Sequence, residues 1–318
     1  MTKFERIILT SAPITIIRNV SKKIILPGFE GLPLYDVFKF FIEQVNKVGL
    51  NERAAAISFN FLMAIPAACI FFFTLVPYLP ISKQFIAELI RVVQQVSPDK
   101  QTKALIIDFM QDFFTKPKTG LLSLGFILAI FYSSNAMMGI IRTFDKSLAN
   151  RYNTNFIEKR WRAIKLTTIL ILLIIGTILV SLGQGFIFSK IMKLLHIKSS
   201  SIKFWIQLIR LVIVIALFIY SIGLIYKLAP SVKERWKIHS PGAIFATILL
   251  IISTDVFSYW AQNISNYNKF YGSIGSILIL MLLIYINSLI LLIGFELNVS
   301  ISSLKEAAKK RTEVDAQI

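Results

Sequence analysis

The sequence predicts an all-α polytopic membrane protein with six transmembrane helices and flanking amphipathic helices. Three observations support this. Hydrophobic residues make up 55% of the 318 residues and charged residues 16%, against roughly 25% charged in an ordinary soluble protein. The mean hydropathy is +0.68. Six apolar stretches are each long enough to cross the roughly 30 Å hydrocarbon core of a bilayer as a helix. A soluble fold is disfavoured because six apolar helices of this length cannot all be buried at the centre of one soluble protein.

The predicted spans contain few charges and alternate with short polar connectors that carry Lys or Arg. Each is expected to be helical, because a helix satisfies its backbone polar groups within the segment. The spans are residues 54–79, 120–141, 166–188, 204–228, 241–263 and 273–298.

The distribution of Lys and Arg predicts that both termini are cytoplasmic. The N-terminal segment, the connectors 142–165 and 227–240, and the C-terminal tail together carry 23 basic residues, whereas the opposite side carries 11. Basic residues accumulate on the cytoplasmic side of membrane proteins. The net charge of +18 is therefore attributed to the membrane setting, and no nucleic-acid partner is expected.

These features divide the chain into three parts. Residues 1–53 are predicted to form a cytoplasmic segment, in which an amphipathic helix over 34–48 lies at the membrane interface. Gly49 is predicted to be its C-cap. Residues 54–298 form the six-helix domain, including an outer helical hairpin at about 80–119, and residues 299–318 form a cytoplasmic tail, as a solvated helix or a frayed end.

The sequence predicts no metal site, no cofactor and no catalytic residue. Cys69 is the single cysteine, and His196 and His239 lie far apart in polar connectors. A metal-dependent nuclease needs clustered ligands on a water-exposed surface. The longest cytoplasmic connector offers only Asp145 and Glu158 among its acidic groups, so an enzyme is not expected.

The C-terminal stretch NYNKFYGSIGSILILMLLIYINSLILLIGFELN (266–298) resembles the signature of the YihY/BrkB family of bacterial inner-membrane proteins. The matching positions are Tyr267, Asn268, Tyr271, Gly272, Ser273, Gly275, Gly294, Glu296 and Asn298. Arg53 with the following alanines, the basic connector from Arg142 to Tyr152, and the segments 228–230 and 241–243 also match. The resemblance covers roughly residues 40–300.

This resemblance implies a six-helix protein of the bacterial inner membrane with both termini inside. Members of the family have carried the label of a tRNA-processing ribonuclease, ribonuclease BN, and a virulence label. Transport has also been suggested for them, and no substrate is established.

Polar residues inside the fourth and fifth spans form one candidate site, because such groups are costly in a bilayer. Arg210 and Asp255 are predicted at similar depths in the outer half of the membrane. The functional hypothesis is a polar cavity lined by Arg210, Asp255, Gln184, Ser258 and Gln262. The alternative is that Arg210 snorkels to the interface and Asp255 neutralises it.

Two motif segments have their own alternatives. Arg53 and Glu296 are predicted at the cytoplasmic ends of the first and last spans, where a pair would either lock these helices together or act as a gate. The glycines of Tyr271–Gly275 permit a tight turn or close helix packing, and a helix start there could receive an anionic headgroup. Asn60, Asn135 and Asn287 are expected to join helices by hydrogen bonds.

Two functions from different classes remain open. One is the transport or handling of an anionic or amphiphilic, lipid-like substrate, with membrane lipids as partners. The other is a non-transporting scaffold for envelope assembly. The sequence does not fix the oligomeric state.

Overall fold

The computed structural model describes residues 19–78, 90, 104, 107–108, 119–148, 152–195, 200–232, 235–263 and 265–315. Within these ranges the side chains of residues 48, 73, 76, 178–207, 210, 261–274, 276 and 315 are not described. The predicted hairpin at 80–119 therefore lies almost wholly outside the described residues.

All regular elements in the described part of the chain are helices, which confirms the predicted fold class. The long helices are α1 (Leu34–Val48), α2 (Leu50–Leu75), α3 (Thr119–Ser147), α4 (Phe156–Leu195), α5 (Ser200–Leu228), α6 (Pro241–Asn263) and α7 (Ser265–Asp315), and a short 3-10 turn at Val76–Tyr78 follows α2.

Five stretches in the described residues are long and apolar enough to cross a membrane. They are Leu50–Phe72, Thr119–Ser147, Leu211–Leu228, Pro241–Trp260 and Ile277–Val314. The third predicted span, 166–188, falls within α4, whose side chains are described only up to residue 177. This span remains a prediction.

Helix α1 follows the sequence signals closely. Pro33 precedes it in an extended conformation, and Gly49 ends it with a φ of 64°, a left-handed conformation that glycine adopts without steric cost. Val37 and Phe41 are buried with Leu297 and Ile301 of α7, whereas Phe38 is 55% exposed. The amphipathic helix is thus docked on α7 by part of its apolar face.

The main hydrophobic core occupies one end of the bundle. It combines the first turns of α2, α4 and α6 with the last turns of α3 and α5 and the region of α7 around Phe295. The rings of Phe144 and Phe295 are stacked with centroids 3.7 Å apart, and the buried Tyr226 hydroxyl donates to the Leu291 carbonyl oxygen at 2.7 Å. The middle sections of the helices expose many large apolar side chains, as expected for surfaces that face lipid.

A second connection joins the N-terminal segment to the extension of α7. Lys305 Nζ lies 2.9 Å from Glu30 Oε2, and its hydrogen bond holds the pKa of the Glu30 carboxyl below the ordinary value. Both side chains are largely exposed, so this pair contributes little to stability.

Candidate functional site

Arg53 and Glu296, the two motif residues predicted at the ends of the first and last spans, lie next to each other. Arg53 Nη1 is 3.8 Å from Glu296 Oε1 and donates to Ser147 Oγ at 2.6 Å. Ser147 Oγ in turn donates to Glu296 Oε1. The end of α3 therefore mediates the connection between α2 and α7, a role for Ser147 that the sequence did not indicate.

The Glu296 carboxylate is fully buried. Its Oε2 atom has no hydrogen bond of ordinary geometry among the described residues, although the Gln44 amide of α1 faces the same carboxylate. Four helices thus converge on one acidic group: α1, α2, α3 and α7.

The other residues of the last motif join α7 to α6. Asn298 Oδ1 accepts a hydrogen bond from the Gly242 backbone N–H at 2.9 Å, and its Nδ2 donates to Ser240 Oγ at 2.9 Å. A Cβ atom on Gly242 would meet the Gly294 carbonyl oxygen, and one on Gly294 would meet the Tyr226 hydroxyl and the Ala246 methyl group. Glycine at both positions allows α6 and α7 to cross with their backbones in contact.

A second buried acidic group ties α3 to the connector after α5. Asp145 accepts hydrogen bonds from the Ser231 backbone N–H at 2.9 Å and from Ser231 Oγ at 3.1 Å. Lys159 Nζ lies 3.0 Å from its Oδ2 atom. Arg162 reinforces this connection by donating to Ser231 Oγ at 3.0 Å and to the Tyr152 hydroxyl at 3.0 Å.

A cleft of about 220 Å³ lies among α2, α3 and α4, next to this packed end. Its lining contains two arginines, two asparagines and no acidic residue. The lining residues are Asn60, Asn135, Met138, Gly139, Arg142, Phe156 and Arg160. The cleft is therefore polar and positively charged, although two of its walls belong to apolar helices.

The two arginines of the cleft differ in how they are held. Arg160 Nη1 donates to Asn135 Oδ1 at 2.5 Å, and the guanidinium lies 4.9 Å from the centroid of the Phe131 ring. Arg142 is exposed and makes no hydrogen bond or ion pair with another described residue. One arginine is thus fixed in orientation, and the donors of the other are not bonded to any of the described residues.

The asparagines predicted to join helices do so unequally. Asn135 connects α3 to α4 through Arg160, and Asn287 accepts from Ser253 of α6 at 3.5 Å, the outer limit for a hydrogen bond. Asn60 instead donates to the Ala56 carbonyl oxygen of its own helix at 2.7 Å and packs against Gly139.

The structure leaves most of the predicted outer cavity untested. The side chains of Arg210, Gln184 and Gln262 lie outside the described residues, and Asp255 and Ser258 of α6 are exposed. Their assignment to one cavity therefore remains a prediction.

The first half of the C-terminal motif differs from one sequence expectation. Tyr267, Asn268, Tyr271, Gly272 and Ser273 all lie inside α7, which begins at Ser265. The glycines therefore form no tight turn, and the free N–H groups of the helix start lie upstream of them. The expected turn and helix start were wrong because the polar residues before the apolar run, which begins near residue 273, are already helical. The alternative, close helix packing by these glycines, remains a prediction. Gly275, the last glycine of this segment, is buried.

Sequence reasoning missed the cleft, although it used the connector 142–165 for its charge, its acidic residues and its match to the family pattern. A usable signal was present: Asn60 and Asn135 interrupt two apolar helices, and Arg142 lies two helical turns after Asn135. Residues seven apart lie on the same face of a helix.

The helices, their apolar surfaces and the buried polar pairs that join them define an integral membrane protein of the all-α type. The chain belongs to the family described as Virulence factor BrkB, whose model matches residues 41–317. The resemblance read from the motifs is confirmed.

Two relatives match over most of their length, and a third matches over about a third of its length. The chain is 28% identical over 270 residues to a ribonuclease-like protein, YfkH, of Bacillus subtilis (strain 168), covering 84% of this chain and 96% of that protein. It is 20% identical over 268 residues to a UPF0761 membrane protein of Haemophilus influenzae (strain 86-028NP), covering 84% and 95%. A UPF0761 membrane protein of Pseudoalteromonas translucida (strain TAC 125) matches at 30% identity over 30% of this chain and 31% of its own length. No solved structure matches the chain.

Proposed function

We propose that this protein binds an anionic, amphiphilic substrate, such as a lipid, at the cleft among α2, α3 and α4, and transports or otherwise handles it. The observation that carries this proposal is the charge of the cleft. Arg142 and Arg160 line it together, and no acidic residue shares its lining. The donors of Arg142 bond to none of the described residues, and an arginine favours carboxylate or phosphate groups, which it can bind bidentately.

The size of the cleft supports an amphiphile. About 220 Å³ is less than the roughly 300–1,000 Å³ typical of pockets that enclose a whole small molecule. A headgroup fits this space, and the remainder of the ligand would lie along the exposed apolar surfaces of the helices.

We further propose that the protein lies in the bacterial inner membrane with both termini in the cytoplasm. The asymmetry of basic residues in the connectors supports this orientation. It places Arg142 and Arg160 near the cytoplasmic leaflet, where anionic headgroups and a negative surface potential attract basic side chains.

The direct test is native mass spectrometry of the protein in nanodiscs that contain phosphatidylcholine with either phosphatidylglycerol or no anionic lipid. We expect phosphatidylglycerol to be retained by the unmodified protein and by Arg235→Gln, and to be largely lost from Arg142→Gln. Arg235 is a matched control because it is an exposed arginine that does not line the cleft. Equal retention by all three forms would refute the proposed site.

A scaffold without a substrate is the alternative function. It predicts that Arg142→Gln leaves lipid retention unchanged and that other envelope proteins co-purify with the chain. Native mass spectrometry detects both.

We propose that the protein is not an enzyme, and ribonuclease activity is the least favoured function. Asp145 is buried, and its oxygens are bonded to Ser231 and Lys159. Cleavage of tRNA precursors by the purified protein, abolished by Asp145→Asn, would contradict this proposal.

A further inference from the structure

We propose that the cleft recognises the phosphate monoester headgroup of a lipid, with Arg142 and Arg160 binding its phosphate together. This inference rests on the proposed function and narrows it from anionic amphiphiles in general to one headgroup chemistry. Its first support is the number of charges. Two guanidinium groups, each a cation with five N–H donors, share one cleft without an acidic neighbour in its lining.

A phosphate monoester matches this charge better than a phosphate diester does. The monoester carries close to two negative charges near neutral pH and three acceptor oxygens that are free of substituents. A diester carries one negative charge and two such oxygens. Hydrogen bonds from arginine to either phosphate are charge-assisted, so the monoester gains from its additional charge and its third free oxygen, which two arginines can use together.

The two arginines are held differently, which suits a site with one pre-positioned cation and one cation that reorients when the ligand binds. Asn135 and Phe131 hold Arg160 in place, so it needs no reordering when a ligand binds. Arg142 has no partner among the described residues, so it can turn toward the phosphate without breaking a contact with any of them. Asn135 lies about 10 Å from Arg142 along α3, at 1.5 Å per residue. Polar side chains therefore line the cleft over this distance.

The surroundings of the cleft favour a lipid over a free phosphate. Phe156 lines the cleft and is 64% exposed, and Phe131 beside Arg160 is 49% exposed. Phe131 lies inside the predicted span 120–141, where an exposed ring contacts acyl chains, whereas Phe156 lies in the basic connector, at the level of the headgroups. A lipid would place its phosphate between the arginines and a tail against the Phe131 ring, whereas a soluble phosphate gains only the polar contacts.

The experiment compares phosphatidic acid with phosphatidylglycerol at equal mole fractions in phosphatidylcholine nanodiscs, read by native mass spectrometry. We expect the unmodified protein to retain phosphatidic acid roughly tenfold better, as one additional charge-assisted hydrogen bond would give. Arg142→Gln should retain both lipids weakly and equally. Arg142→Lys should show a reduced preference, because lysine keeps the charge but cannot bind bidentately. Arg235→Gln should behave as the unmodified protein does.

Adding inorganic phosphate distinguishes the two sources of the same chemistry. If the headgroup is recognised as part of a lipid, millimolar phosphate displaces little phosphatidic acid; efficient displacement with no lipid preference would overturn the assignment to a lipid. Equal retention of the two anionic lipids, with both lost in Arg142→Gln, would overturn this inference and leave the proposed function intact. Retention of both that does not depend on Arg142 would overturn the two proposals together.

Discussion

Arg53 and Glu296 are separated by most of the chain, yet they share one buried site in which Ser147 lies between them. Leaving one member of a buried ion pair without its partner is costly, whereas replacing both members is often nearly neutral. The location of the pair at the junction of α2, α3 and α7 makes stability sensitive to each member.

We predict that Arg53→Gln lowers the stability of the protein by about 3 kcal/mol, because it leaves a fully buried carboxylate without its cation. Adding Glu296→Gln should restore part of this loss. The measurement is thermal unfolding in detergent, followed by tryptophan fluorescence. Strictly additive losses in the two single variants and the double variant would show that the residues act independently.

The residue scale also shows what the sequence could and could not predict. Motif resemblance singled out Arg53, Gly294, Glu296 and Asn298, all of which lie at helix junctions. It did not indicate Ser147, because a serine at a helix end has many ordinary roles and its partner is 149 positions away. Pairings of this kind depend on how helices are arranged in space, which a hydropathy pattern does not determine.

At the scale of the elements, local signals predicted the helices and some of their ends, whereas the start of the last helix was not predicted. Gly49 marks the end of α1, and Pro241 opens α6 immediately after Ser240, as is common at a first helical position. The start of α7 was misplaced because hydropathy reports where a helix meets lipid and not where its hydrogen bonding begins. The same helix continues through residue 298 to Asp315, so the predicted tail is helical and continuous with the last span.

We predict that Gly294→Ala destabilises the protein by about 1–3 kcal/mol or more, as is typical of overpacking. The added methyl group would meet the Tyr226 hydroxyl, the Ala246 side chain and the Gly242 backbone. Gly176→Ala in α4 is the control, since a Cβ atom there meets nothing within 4 Å and alanine favours a helix by about 1 kcal/mol over glycine. Thermal unfolding in detergent should separate the two variants; equal stability would show that the crossing tolerates a wider separation.

At the scale of the whole molecule, the buried core and the buried polar pairs are concentrated at one end of the helix bundle. The core residues and the polar pairs lie together where the basic connectors and the N-terminal segment meet the bundle. Composition predicted the class of protein, because five of the expected spans follow directly from hydropathy. Composition could not predict this asymmetry, because the same apolar residue types occur on surfaces that face lipid and on surfaces that face other helices.

We predict that both termini face the cytoplasm. The test introduces single cysteines at Lys269 and Lys309 in a Cys69→Ser background, because the native Cys69 is exposed. An impermeant thiol reagent applied to intact cells should label position 269 and not position 309. Labelling at both positions, or only at 309, would contradict this orientation; labelling of both after cell lysis confirms that each cysteine is reactive.

The contact between Gly242 and Gly294 also determines how α6 and α7 can move relative to each other. The two backbones are in contact here with no side chains between them. We therefore expect the helices to tilt about this contact, which acts as a fulcrum, rather than to slide along each other. Residue 263 lies about 30 Å from that point along α6, at 1.5 Å per residue. A tilt of about 10° would therefore displace the far end of α6 by about 5 Å while the fulcrum stays almost still. A small rotation at the packed end would therefore produce a much larger displacement at the opposite end of α6.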